Sequence, residues 1–205
     1  MDDRGAVKDG LCYWVGQSLA ITILLADGTT LASGFTQIGA DVGQRGPYTV
    51  YVSFSVSAEQ PGFIQVYAIS AKDGGVTHLA LVGVTLAPGG SANILPALEG
   101  PEQIQINQPA SAATISGGVV HVEGLGLASF EQTLVIDVLD EAGRFLASVP
   151  VTVAAPDLGQ PGPFSADIPY TLSSASTAGR VQVRDVSPAH GGNSHLSSVE
   201  VTLNP

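Results

Sequence analysis

Apolar and polar residues alternate with a period of two along much of this chain. The pattern is cleanest where Tyr48, Val50, Val52, Phe54 and Val56 interleave with Thr49, Tyr51, Ser53 and Ser55. Alternation of this kind sends one set of side chains to a buried sheet face and the other to water, so it predicts half-buried β-strands. Leu19, Ile21 and Ile23 obey the same rule around Ala20 and Thr22, and Leu134, Ile136 and Val138 obey it around Val135 and Asp137. Turn residues punctuate the runs: Asp27-Gly28, Gln60-Pro61-Gly62, Lys72-Asp73-Gly74-Gly75 and Glu141-Ala142-Gly143. Further strands are predicted over 63–69 and 78–86. No stretch sustains a 3.6-residue period, so helix content is expected to be very low, with room for one turn at 93–98. Residues 1–10 read as polar and patternless.

The pattern occurs twice. Gln17 to Ser33 and Gln132 to Ser148 agree at 8 of 17 positions, where about one match is expected from ordinary composition. Gly46-Pro47-Tyr48 recurs as Gly162-Pro163-Phe164, the run Gly62 to Ile69 as Gly179 to Val186, and His78, Val82, Val84 and Leu86 as His195, Val199, Val201 and Leu203. The offset drifts from 115 to 117, as single-residue loop insertions allow. Such self-similarity decides the domain organisation before anything else.

Seven or so short strands per copy, with turns every 8–12 residues, predict an all-β fold of two tandem immunoglobulin-like antiparallel β-sandwiches. The expected division is 1–88, a linker over 89–102, and 103–205. The second copy has an opening strand, Glu102 to Gln108, ahead of its hairpin. At an offset of 115 the counterpart of Ile104 falls before residue 1, so the first sandwich is expected to lack its first strand. The bare edge then invites one of two outcomes: residues 1–10 fold back over it, or another chain pairs there.

Charge narrows the partners. The chain carries 7 Lys and Arg against 18 Asp and Glu, a net charge of −11. Phosphate neutralisation has almost no basic material to work with, which argues against nucleic acid and against an anionic membrane surface. No run approaches the roughly 20 apolar residues of a membrane span, so direct insertion is not expected. Cys12 is alone, which excludes an intramolecular disulfide.

The second copy resembles the immunoglobulin-like domain of bacterial spore germination proteins. The likeness rests on Ile104-Gln105-Ile106 followed by Pro109, then Ile115 and Gly117, and the Phe130-Glu131 pair before the hairpin. Gly143, Gly162-Pro163-Phe164, Val181-Gln182-Val183 and Val199-Glu200-Val201 complete it, over about residues 103–205. The first copy shares the later part and has Val15-Gly16 in place of Phe-Glu. The resemblance implies an extracytoplasmic or cell-surface accessory module of a longer bacterial protein, and it offers no catalytic residues to carry over.

Candidate chemistry is sparse. His78 and His195 hold equivalent places, which raises a ligand or pH-sensing role against that of a partly buried, hydrogen-bonded strand residue. His190, His195 and Asp185 lack the spacing of a zinc site. Asp137, Asp140 and Glu141 cluster at the second hairpin without calcium-loop spacing and read as a solvated turn. Tyr13, Trp14 and Tyr51 are candidates for an aromatic sugar platform, against a core role. There is no Gly-x-Ser-x-Gly elbow and no phosphate-cradling loop opening a helix. The expectation is therefore a non-enzymatic interaction or spacer module with no cofactor or metal, partnered by other protein domains or envelope components. The alternative is a carbohydrate-binding module appended to a cell-wall-active enzyme.

Overall fold

A computed structural model describes residues 4–13, 18–38, 45–70, 72–89, 103–127, 131–172, 175–188 and 191–205. These residues form fourteen strands and no helix, and the chain divides into two compact units, Met1–Gly100 and Pro101–Pro205. The expected linker and the helical turn at 93–98 lie outside the described residues, save Gly89.

In the first unit, β1 (Arg4–Tyr13) pairs antiparallel with β4 (Arg45–Ser53). The other sheet is built on β2 (Ser18–Leu25), flanked by β3 (Thr30–Gln37) and β5 (Gln60–Ile69), with β6 (Val76–Leu86) beyond β5. Leu19, Ile21 and Ile23 point inward and meet Tyr48, Val50, Val52, Ile64, Ala68 and Leu86 in one core. The alternation seen in the sequence is thus the inside and outside of a sheet.

Residues 4–13 correct the reading of the N-terminus. They are neither patternless nor folded back as a cover; they are a strand in their own right. Its pairing shifts register between Val7 and Gly10. A bulge there moves residues on its two sides onto opposite parities, which erases the alternation that would have announced the strand.

In the second unit the opening segment divides. β7 (Ile104–Gln108) pairs antiparallel with β9 (Val119–Gly126), and β9 pairs on its other side with β12 (Gly162–Pro169). After the cis peptide Gln108–Pro109, β8 (Ala113–Ile115) joins the opposite sheet, running parallel to β14 (Asn193–Leu203). That sheet continues through β13 (Thr177–Val186) and β10 (Thr133–Asp140) to β11 (Phe145–Thr152). Ile104, Val122, Leu134, Ile136, Phe164, Ile168, Val183 and Leu203 are among its core residues.

The same local devices appear in both units. Gly28 and Gly143 close their hairpins at φ of 84° and 73°, conformations that favour glycine. Each hairpin carries a register shift, between Ile23 and Leu24 in one and between Val138 and Leu139 in the other. A β-carbon on Gly62 would lie 2.5 Å from Leu86 Cδ1 and 2.7 Å from the Leu24 carbonyl oxygen. One on Gly179 would lie 2.6 Å from Leu203 Cδ1 and 2.7 Å from the Leu139 carbonyl oxygen. Both glycines exist because a neighbouring strand and a closing leucine leave no space for a side chain.

Candidate functional site

His78 and His195 sit near the starts of β6 and β14, opposite Ala68 and Asp185. His78 is half-buried, but its Nδ1 is closed off from solvent. Burial pushes its pKa down to about 2, so the ring stays neutral under ordinary conditions. Burial also lowers the pKa of His195, and the carboxylate of Asp185 partly counters it. Trp14 and His190 lie outside the described residues, as does the side chain of Tyr13, which ends β1. Tyr51 is 65% exposed and points away from the core that holds Val50 and Val52.

Asp137 and Asp140 are buried, which corrects the reading of this cluster as a solvated turn, whereas Glu141 at the turn is exposed as expected. Asp137 has no exposed surface. It accepts from Arg184 Nε at 2.6 Å, Ser148 Oγ at 2.7 Å and Gln182 Nε2 at 3.0 Å. Asp140 accepts from the Ala142 and Arg144 amides at 2.9 Å and pairs with the Arg144 guanidinium at 2.7 Å. The Arg144 amide and side chain hold its carboxyl below the usual range. Further along the same outward sheet face, buried Arg180 donates to Ser198 Oγ at 2.8 Å and to Glu200 at 3.3 Å. Asp137, Gln182 and Ser148 are direct cross-strand neighbours. Their strand parity was visible in the sequence, but the pairing order that brings them together was not. These groups bind one another across the strands of the sheet.

On the other sheet, exposed His121 was not singled out from sequence. Its Nδ1 lies 2.6 Å from Asp167 and its Nε2 3.6 Å from Glu123. The hydrogen bond to Asp167 leads in raising its pKa. Among the described residues, no group of three or more His, Cys, Asp or Glu is placed to hold a metal ion.

What distinguishes the units most is a sheet edge. Gly126, Leu125 and Gly124 of β9 pair with Gly162, Pro163 and Phe164 on one side and with Ile104, Gln105 and Ile106 on the other. The first unit repeats one side of this: Cys12, Leu11 and Gly10 pair with Gly46, Pro47 and Tyr48. Among the described residues no strand pairs with the opposite edge of β1. A β-carbon on Gly124 would strike the Gln105 carbonyl oxygen and lie 2.6 Å from the Phe164 ring. Gly10 occupies that same register position, with Tyr48 in place of the ring. An unpaired edge of this kind offers backbone donors and acceptors to an incoming strand.

The fold is therefore an all-antiparallel β architecture, save for the short parallel β8 contact, and its second unit is of the immunoglobulin-like class. Residues 103–192 match the family model for Gmad2, the immunoglobulin-like domain of bacterial spore germination. No curated protein matches the chain. Among the described residues no helix is long and apolar enough to cross a membrane.

Proposed function

We propose that this chain is a non-catalytic interaction or spacer module of the bacterial envelope, built of two immunoglobulin-like sandwiches in tandem and working outside the cytoplasm. The family likeness of residues 103–192 carries the reading. The repetition of hairpins, register shifts and glycine contacts in the first unit supports extending the same domain type to it. The polar side chains of the second unit support it as well, since Asp137, Arg184, Gln182 and Ser148 satisfy each other and leave no activated nucleophile among themselves. The test is turnover: the purified chain, assayed against peptidoglycan, ester and glycoside substrates, is expected to be inert. Appreciable hydrolase or transferase activity refutes the reading.

A second reading, a carbohydrate-binding module appended to a cell-wall-active enzyme, is favoured by one observation, the exposed ring of Tyr51 on β4, which pairs opposite Ala6. A flat aromatic facing solvent is the usual platform for a sugar ring. Glycan-array binding that disappears in Trp14→Ala and Tyr51→Ala supports it, and binding to no glycan removes it.

A further inference from the structure

We infer that the outer edge of β1, which no described strand covers, is a strand-acceptor site. Its ligand is an extended segment of about five residues, aliphatic at alternate positions and acidic at its flank, that adds antiparallel to β1. The inference deepens the interaction-module reading and rests on it.

The second unit shows what such an edge accepts. There β7 lies along β9 and places Ile104, 1% exposed, in the core, with Ile106 packed against it. The matched pairings put Cys12, Leu11 and Gly10 where Gly126, Leu125 and Gly124 stand. The first unit thus keeps the glycine that β7 approaches most closely. Backbone ladders supply affinity in such additions, and the alternate side chains supply selectivity.

Only the β7 half of the opening segment is called for. In the second unit the Tyr170 hydroxyl donates to the Asn204 carbonyl at 2.7 Å and to the Ile115 carbonyl of β8 at 3.3 Å. The first unit has Phe54 at the matching position, packed on the core without a hydroxyl. The tie to a β8-like strand has gone, whereas the glycine for a β7-like strand remains.

Charge selects the occupant. β1 and β4 hold Arg4, Lys8 and Arg45, three of the seven basic residues of the chain, against the single acidic residue Asp9. In the register of β7 on β9 the acidic flank falls beyond Cys12, toward the Tyr13–Arg45 pair, so Arg45 is the basic residue that favours an acidic segment over a second copy of β1.

The experiment titrates the isotope-labelled full chain with a synthetic peptide of the sequence found at residues 102–109, EQIQINQP. Amide shifts and new exchange protection are expected along Arg4–Tyr13. Replacing the peptide's counterparts of Ile104 and Ile106 by Asp is expected to weaken binding at least tenfold, and so is Gly10→Val in the protein. The peptide variants keep the test valid if Gly10→Val fails to fold. Four results overturn the inference: no binding at millimolar peptide, equal binding by the Asp peptide, shifts confined to Val119–Gly126, or β1 protection that tracks self-association without peptide. Any of these leaves an inert spacer standing, whereas turnover by the chain sinks the non-catalytic reading and leaves the edge untouched.

Discussion

The strands β3-β2-β5-β6 of the first unit and β11-β10-β13-β14 of the second share one pairing scheme, and their outward faces carry different chemistry. In the second unit Asp137 stands between Ser148 and Gln182, with Arg184, Arg180, Ser198 and Glu200 beside them. In the first, Thr22 stands between Ser33 and Gln65, and Tyr67, Phe63, Leu81 and Gly83 hold the remaining places. One face is a charged ladder whose carboxylate, Asp137, is wholly buried; the other carries no charge at the matching places. Backbone pairing is indifferent to the choice, so the same sheet tolerates both. The energetic consequences differ greatly, because a buried charge is stable only while its partners remain.

The largest test of that contrast removes the carboxylate. Asp137→Ala leaves Arg184 without its counter-charge and is expected to destabilise the second unit by about 3–5 kcal/mol. Thr22→Ala, at the matching place, should cost about 1 kcal/mol or less. Exchange of the β10 and β2 amides under denaturant reads each unit separately. The double change Asp137→Thr with Arg184→Tyr, which imports the first unit's pair, should recover much of the loss; additive losses would show that the two side chains are not coupled.

Where the units agree, mutations should agree. Gly62→Ala and Gly179→Ala each push a β-carbon against a leucine and a strand carbonyl, and each should cost about 2 kcal/mol. A difference of more than about twofold between them would break the equivalence of the two closing strands.

The histidines separate the units again. The folded pKa of His78 is about 2, below its ordinary 6.5, so between these values the unfolded chain binds the extra proton. Stability from this group is therefore complete above about pH 6.5 and falls as pH drops, by up to about 1.4 kcal/mol per pH unit. Asp185 opposes the same shift at His195. Urea midpoints measured from pH 7 to 5 should fall less steeply in His78→Gln than in the wild type, and His195→Gln should flatten the profile less. Equal slopes in both variants would mean that Asp185 exerts no influence.

The smallest effect concerns a single hydroxyl. Tyr170→Phe loses the bond to Asn204 and should cost about 1 kcal/mol. Phe54→Tyr in the first unit should gain nothing, and a measurable gain would point to an acceptor strand at that place.

Much of the fold was legible because period-two alternation reports sheet faces directly. Ile21, Ile136 and Val50 could be placed inside from parity alone, and Gly28 and Gly143 marked both hairpins. β1 was illegible because the shift between Val7 and Gly10 breaks its parity. The Asp137 cluster was illegible for another reason. An aspartate near a hairpin looks solvated until its neighbours are known, and Arg184 lies 47 residues away. His121 was passed over on the same grounds, since Asp167 lies 46 residues along the chain.

The sequence by itself determined which residues face inward, where the chain turns, and that one pattern of strands occurs twice. These follow from local periodicity and from backbone angles that only certain residues adopt. Tertiary structure alone decided which carboxylates are buried, which edge of β1 has a strand beside it, and which glycines are indispensable. Each of those depends on the order in which distant strands pair, and pairing order leaves no mark on the residues between them.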